Sequence, residues 1–273
     1  MGVKMKKTVL LVTDFYYEAK GREYFREDLL LGGLLRKQYN VCTTHIEDAA
    51  KLLDVADVVL LRNTGPQSTH KAHLAALKNR TGLALYNDLL GKGDIVGKRH
   101  LLELFQLGFA VIPTFVAKNE AFGKSERFLL KPLDGADSLG VKVLSAEELH
   151  ASECQNMLIQ PLVDFQYEVS FYFVGKEFQY ALYAPNPQKR WELKVYQATK
   201  EDMSFAQSFV NWNSCTHGIQ RVDACRTQDG QLLLMELEDY NPFLSLELLD
   251  VDVRQKFMEA LCCSLERCME SSQ

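Results

Sequence analysis

The chain has 273 residues, 47% of them hydrophobic and 25% charged, with a formal net charge of −5. That length supports two domains with buried cores, and the absence of a basic face or segment argues against nucleic acid as a partner. Apolar runs such as Leu29–Leu31 and Val58–Leu61 fall far short of the roughly 20 residues a membrane helix needs, so no membrane partner is expected. Lys4, Lys6 and Lys7 ahead of Val9–Val12 sketch a signal peptide, but the apolar run is too short and Asp14 ends it. Seven cysteines without regular spacing point to a reducing compartment and a cytoplasmic location. Cys262, Cys263 and Cys268 read as plain thiols of the last helix rather than a zinc site.

In chain order, Thr8–Thr13 is a β-branched strand ended by Asp14. A leucine-rich helix over Arg22–Gln38 follows, then strands at Val41–Thr44 and Asp57–Arg62. The second of these is almost continuously apolar, as a strand covered on both faces should be. A helix at His70–Lys78 and a short strand at Leu83–Tyr86 complete a doubly wound parallel unit ending near residue 90. Leu90–Gly97 carries three glycines and reads as a junction. A helix over Val96–Leu107, stopped by Gly108, and a strand at Ala110–Ile112 come next. Strands at Phe128–Lys131, Val141–Leu144, Met157–Gln160, Tyr167–Val174, Glu177–Ala184 and Glu192–Tyr196 then make an antiparallel α+β region. A helix at Glu201–Trp212 precedes strands Gly218–Arg226 and Gln231–Glu238, which Asp229-Gly230 joins as a hairpin. A helix over Val253–Glu270 ends the pattern.

The last hairpin is the strongest chemical constellation. Arg221 and Asp223 are two apart on one strand, Glu236 and Glu238 two apart on the next, so each pair shares a face. Three carboxylates at one place repel one another unless a cation sits among them. Oxygen ligands favour magnesium or manganese over zinc. Without further context an ordinary solvent-facing hairpin would look the same. Lys131 ends a buried strand and is followed by a small-residue loop with Gly135, Ser138 and Gly140, a pattern able to hold nucleotide phosphates. Lys98 opens a helix and offers a second cation. A P-loop at Gly97-Lys98 is excluded, because Gly91 stands one residue too far off and Arg99 replaces the required Ser/Thr. Gln160-Pro161-Leu162 leaves a strand with exposed backbone groups able to read an adenine edge, and Glu168 could accept from a ribose. His70 and His73 lack a third ligand and read as exposed surface.

The order Lys98, Lys131 in Leu-Lys-Pro-Leu-Asp-Gly, Gln160-Pro-Leu, Glu168, Arg221-Val-Asp223 and Glu236-Leu-Glu238 resembles the ATP-grasp superfamily. It looks most like the branch of glutathione synthetase, ribosomal S6 modification and D-alanine–D-alanine ligase enzymes. Within it, the chain resembles small ATP-grasp proteins that include a ligase of cycloserine biosynthesis, through Asp57–Arg62, Asn87, the Lys98 helix and Val111–Thr114. The likeness spans nearly the whole chain, and the thirteen-residue spacing of Asp223 and Glu236 is its most specific part.

That resemblance implies an N-terminal Rossmann-like domain over 1–92, an ATP-grasp small lobe over 93–160 and a large lobe carrying the metal site over 161–273. It implies that Lys98, Lys131, Gly135 and Ser138 contact ATP phosphates and that the loop Asp134–Gly140 closes over them. Gln160 and Leu162 would line adenine through their backbones, Glu168 would bind ribose, and Asp223, Glu236 and Glu238 would hold Mg²⁺ or Mn²⁺. Arg221 would stabilise the charge developing on the transferred phosphoryl group.

Two features depart from the family pattern. Glu238 stands where relatives commonly have asparagine, with Asn241 three residues on. The glycine-rich loop before the next helix is missing between Val195 and Asp202. Arg62, Arg190, Lys194 and Asn241 are the substrate-side candidates. The implied reaction is carboxylate–amine ligation through an acyl phosphate on an amino acid or small peptide-like substrate, releasing ADP and phosphate. A phosphotransferase or a non-catalytic nucleotide binder on the same fold are the rivals, and a homodimer is allowed.

Overall fold

The computed structural model describes residues 6–19, 22–64, 67–121, 123, 125–134, 140–186 and 188–272. Thr8–Val12 (β1) lies at the centre of a parallel sheet, between Asn40–Thr44 (β4) and Val58–Leu61 (β5), with Leu85–Tyr86 (β6) outside β5. Two short antiparallel strands, Glu18–Ala19 (β2) and Arg22–Glu23 (β3), precede helix Tyr24–Leu35 (α1), which is why that helix begins later than its leucine pattern suggests. Strand residues alternate between two cores. Val9, Leu11 and Leu60 pack with Leu31 and Leu35 of α1 and with Phe257 and Leu261 of the C-terminal helix. Leu10, Val12, Val59 and Leu61 pack with Ile46 of Ile46–Ala49 (α2) and with Leu74 and Leu77 of Gln67–Lys78 (α3). Burial on both faces explains the unbroken apolar runs.

Arg99–Gln106 (α4) follows a 3₁₀ turn at Asp94–Val96, so the expected helix over Val96–Leu107 is shorter at its start. The expected strand at Ala110–Ile112 is a single bridge, Val111 to Leu234. Arg127–Pro132 (β7) pairs antiparallel with both Lys142–Ser145 (β8) and Met157–Pro161 (β9). Their core joins Phe128, Leu130 and Ile159 to Phe115, to Ala121 of Lys118–Ala121 (α5) and to Leu149 of Ala146–Ala151 (α6). The α6 turn, absent from the sequence reading, starts at a reciprocal capping box between Ser145 and Glu148.

The third sheet is antiparallel in the order β12-β11-β10-β13-β14. Its strands are Phe165–Val174 (β10), Glu177–Ala184 (β11), Lys194–Val195 (β12), Ile219–Thr227 (β13) and Leu232–Glu238 (β14). Of the expected Glu192–Tyr196 strand only β12 forms. One face carries Val169, Phe171, Phe173, Val222, Ala224 and Leu237, buried against Ala206, Phe209 and Val210 of Lys200–Trp212 (α7). Val251–Ser271 (α8) packs against the parallel sheet and against Tyr172, Tyr180 and Leu182 at one end of the opposite face. The remainder of that opposite face is open. No described helix is long and apolar enough to cross a membrane, and the seven cysteines are free thiols.

Candidate active site

The open face takes its residues from period-two alternation. Gly230, at φ 86°, allows the tight turn between β13 and β14. The ladder sets Arg221 opposite Glu238 and Asp223 opposite Glu236. On the neighbouring strand, Tyr172 stands opposite Arg221 and Ser170 opposite Asp223. The four charged side chains expected to share a face therefore do so, with Ser170, Tyr172 and Glu168 beside them.

Arg221 is the hub of this face. Its Nε and Nη2 donate to the two oxygens of Asp223 at 2.9 and 2.8 Å, Nη2 also reaches Glu238 Oε1 at 2.5 Å, and Nη1 donates to Phe243 O at 3.0 Å. Ser170 Oγ donates to Asp223 Oδ1 at 2.6 Å. The planar fork suits such two-pronged contacts, which a lysine could not reproduce.

Lys98 arrives from a distant segment and forms a close ion pair with Glu236. Two carboxylates anchor the approach. Asp94 Oδ1 accepts from the backbone N–H groups of Asp239 and Tyr240 at 2.7 and 3.0 Å. Asp239 accepts in return from Gly93 N at 2.7 Å and Ile95 N at 3.1 Å. Gly97 must be glycine here: its φ is +86°, and a Cβ would sit 2.7 Å from Leu133 O. Lys131 points in from β7, its Nζ 3.4 Å from Met235 O.

Electrostatics follow from burial and pairing. Burial works to raise the Glu236 carboxyl, but Lys98 and Lys131 outweigh it and hold Glu236 down to about 2. Burial pushes Glu238 up to about 8 against the pull of Arg221, and the neighbouring Asp223 and Glu236 add to the rise. Burial lowers the Lys131 ammonium, with Glu236 opposing. Burial also raises Glu168, partly offset by Arg190 Nε 2.7 Å away.

These groups surround a cavity of about 820 Å³, within the range of small-molecule sites. Lys98, Lys131, Glu168, Arg190, Arg221, Asp223, Glu236, Glu238 and Asn241 all line it. The expected set is incomplete in other respects. Gly135 and Ser138 lie outside the described residues. Lys194 is exposed and does not line the cavity. Gln160 is fully buried, with its amide donating to Thr114 Oγ1 at 2.8 Å, and the Leu162 N–H donates to Arg127 O at 2.9 Å. Neither lines the cavity.

Arg62 corrects an expectation. It is 1% exposed, its Nε is 3.0 Å from Asp28 Oδ1, and its Nη2 is 3.4 Å from Glu27 Oε2 and 3.0 Å from Pro242 O. Those contacts occupy the guanidinium as an internal clamp. His70 is a second correction, since it is buried rather than on the surface. Ser170 and Tyr172 were missed, although they stand two and four residues after Glu168 on the same strand. Tyr17, Tyr24, Asn63 and Lys71, from the N-terminal unit, close another side of the cavity. No sequence pattern marks those four.

No family model matches the chain, and no curated protein matches it in sequence. Solved structures do match it in three dimensions. D-cycloserine synthetase DcsG is 19% identical with a TM-score of 0.72, over 96% of this chain and 99% of that one. D-alanine–D-alanine ligase from Bacillus anthracis is 14% identical with a TM-score of 0.70, over 98% and 100%. The ATP-grasp ligase PsnB, complexed with a phosphomimetic variant of its minimal precursor, Mg and ADP, is 13% identical with a TM-score of 0.64, over 96% and 100%. The chain has the ATP-grasp fold. Against that fold, the open sheet face, the Lys131 strand and the Lys98 segment are three walls of one cleft, with the parallel unit as the fourth.

Proposed function

We propose that this ATP-grasp chain is an ATP- and magnesium-dependent carboxylate–amine ligase acting through an acyl phosphate on an amino acid or small peptide-like substrate. One observation carries the reading. A single sheet face sets one arginine and three carboxylates beside two buried lysines, around a cavity of nucleotide size. The names of the fold neighbours support it: one is D-alanine–D-alanine ligase complexed with ATP, another a ligase with Mg and ADP.

The donor set fits magnesium. Asp223, Glu236 and Glu238 offer hard oxygen ligands, and Arg221 and Lys98 pair with them. Asp223, Glu236 and Glu238 would hold magnesium, and Lys98, Lys131 and Arg221, all lining the same cavity, would be the cations available to phosphate oxygens. Magnesium, when bound, supplies neutralisation of phosphate charge. Glu168 would accept from ribose hydroxyls, and Arg190, 2.7 Å away, would hold its orientation.

A substrate carboxylate oxygen attacks the γ-phosphorus of ATP, the bond to the ADP oxygen breaks, and an acyl phosphate forms. An amine then attacks the acyl carbon, phosphate leaves, and the nitrogen loses a proton. The protein's part is positioning and charge stabilisation, with no serine or cysteine nucleophile. Arg221 stabilises the transferring phosphoryl group. Arg190 and Asn241 remain candidates for holding substrate. Arg62 does not.

Purified protein with ATP, magnesium and a panel of amino acids and small peptides tests this. ADP release that requires both a carboxylate and an amine is the expected result. A stable phosphorylated product would identify a phosphotransferase, and ATP binding without ADP under every substrate set would identify a binder.

A further inference from the structure

A second cluster of ligand-bearing side chains lies apart from the acidic hairpin, at the carboxyl edge of the parallel sheet. Asp14 follows β1, His45 follows β4, and His70 lies in α3, after β5. The sheet order β4-β1-β5-β6 makes this edge the place where connections leave in opposite directions, the crevice in which open α/β sheets hold ligands. Among the described residues, Asp14, His45 and His70 are the group of three whose ligand atoms all lie within 4.8 Å of one another.

The three side chains are close enough to share one ion. His45 Nε2 is 3.5 Å from Asp14 Oδ1. Nitrogen and oxygen ligands at roughly 2.0–2.1 Å from a tetrahedral zinc stand about 3.3 Å apart, so this edge needs little contraction. His70 is 6% exposed, and helical geometry is interrupted at that residue, with φ −120° and ψ 22°. Its ring meets other imidazoles: His45 at 5.6 Å and 82°, and His73 at 6.3 Å and 62°. The α2 cap and the Asp14 contact account for His45 alone; a borderline divalent ion would account for the second imidazole, His70, at the same carboxylate. His45 also caps α2, its Nδ1 accepting from Glu47 N at 3.4 Å, which fixes the ring with Nε2 turned to Asp14.

We propose that Asp14, His45 and His70 bind a divalent transition-metal ion of the zinc class, with a coordination position left open. The ion would tie together the segments that follow β1, β4 and β5. Lys71, next to His70, and Asn63, whose carbonyl accepts from Asp14 N at 2.8 Å, both line the main cavity. The bound ion would therefore order one wall of that cavity.

The test uses full-length protein, stripped with chelator, dialysed and kept in excess magnesium to occupy oxygen-only sites. Co²⁺ is titrated in as the spectroscopic probe and then displaced by Zn²⁺. One ion per chain with a tetrahedral cobalt band is expected, together with a rise in Tm on adding Zn²⁺. His45→Gln and His70→Gln, each checked for folding by circular dichroism, should weaken binding by more than about 100-fold. Glu236→Gln should leave the cobalt band unchanged. X-ray absorption of the zinc-loaded wild-type protein should show imidazole scattering and only nitrogen and oxygen ligands, an answer that stands even if a variant fails to fold. Absence of a bound ion, a sulfur-containing shell, or binding that survives in both folded histidine variants would overturn the proposal.

Discussion

Arg221 and Glu238 face each other across the last hairpin, Nη2 to Oε1 at 2.5 Å, while the same guanidinium grips both oxygens of Asp223. One guanidinium thus grips two carboxyl groups. Lysine keeps the charge but loses the fork. Arg221→Lys is expected to lower kcat for ADP release by about 100- to 1,000-fold, with a smaller change in the KM for ATP. Steady-state kinetics on protein of unchanged circular dichroism would show it. An unaltered kcat would remove Arg221 from the reacting centre.

Glu236 is the partner of Lys98 and the proposed central magnesium ligand. Glu236→Gln keeps the size and one acceptor oxygen but removes the charge. Turnover should disappear while the fold persists, and calorimetric affinity for ADP should lose its magnesium dependence. Activity at the wild-type level would refute the metal assignment.

Arg62 makes the opposite kind of prediction, about stability rather than catalysis. Its guanidinium neutralises Asp28 and Glu27, both buried. Arg62→Met leaves those carboxylates without their cation and should destabilise the fold by about 3–5 kcal/mol, the usual cost of breaking a buried pair. Urea denaturation measures this. A loss below about 1 kcal/mol would mean that the clamp contributes little.

The two hairpin glutamates give opposite pH dependences. Glu236 is depressed to about 2, so its contribution to stability is present above the ordinary value of 4.5 and is lost as pH falls through about 2. Glu238 is raised to about 8, so its contribution is full below 4.5 and is lost as pH rises through about 8. Between those limits the folded protein binds more protons at Glu238 than the unfolded chain does. Urea midpoints should therefore fall from pH 5 towards pH 8, in roughly the window that linkage assigns, and Glu238→Gln should make that slope shallower, with Glu27, pushed up to about 7 by burial, keeping the rest. An unchanged slope in the variant would reassign the titration.

Much of the site was legible because strand chemistry is local. Alternation along β13 and β14, with Asp229-Gly230 between them, is enough to set Arg221, Asp223, Glu236 and Glu238 on one face. Lys98 was legible as a cation but not as the partner of Glu236. That pairing depends on the Asp94–Asp239 clamp between segments well over a hundred residues apart. Arg62 misled for a similar reason. An arginine at the end of a strand looks available until Glu27 and Asp28, on a helix earlier in the chain, are brought against it.

The sequence by itself determined the element pattern of the parallel unit, the last hairpin and the side of the sheet on which its charges lie. Those features rest on periodicity and turn residues that act over a few positions. Only the tertiary structure decided which charges meet, and so which are spent on each other. It withdrew Arg62 into a buried clamp, gathered His45 and His70 around Asp14, and tied the Gln160 side chain to Thr114. Burial and pairing of polar groups are set by distant segments packing together, and the energy of a charge depends on those neighbours rather than on its place in the chain.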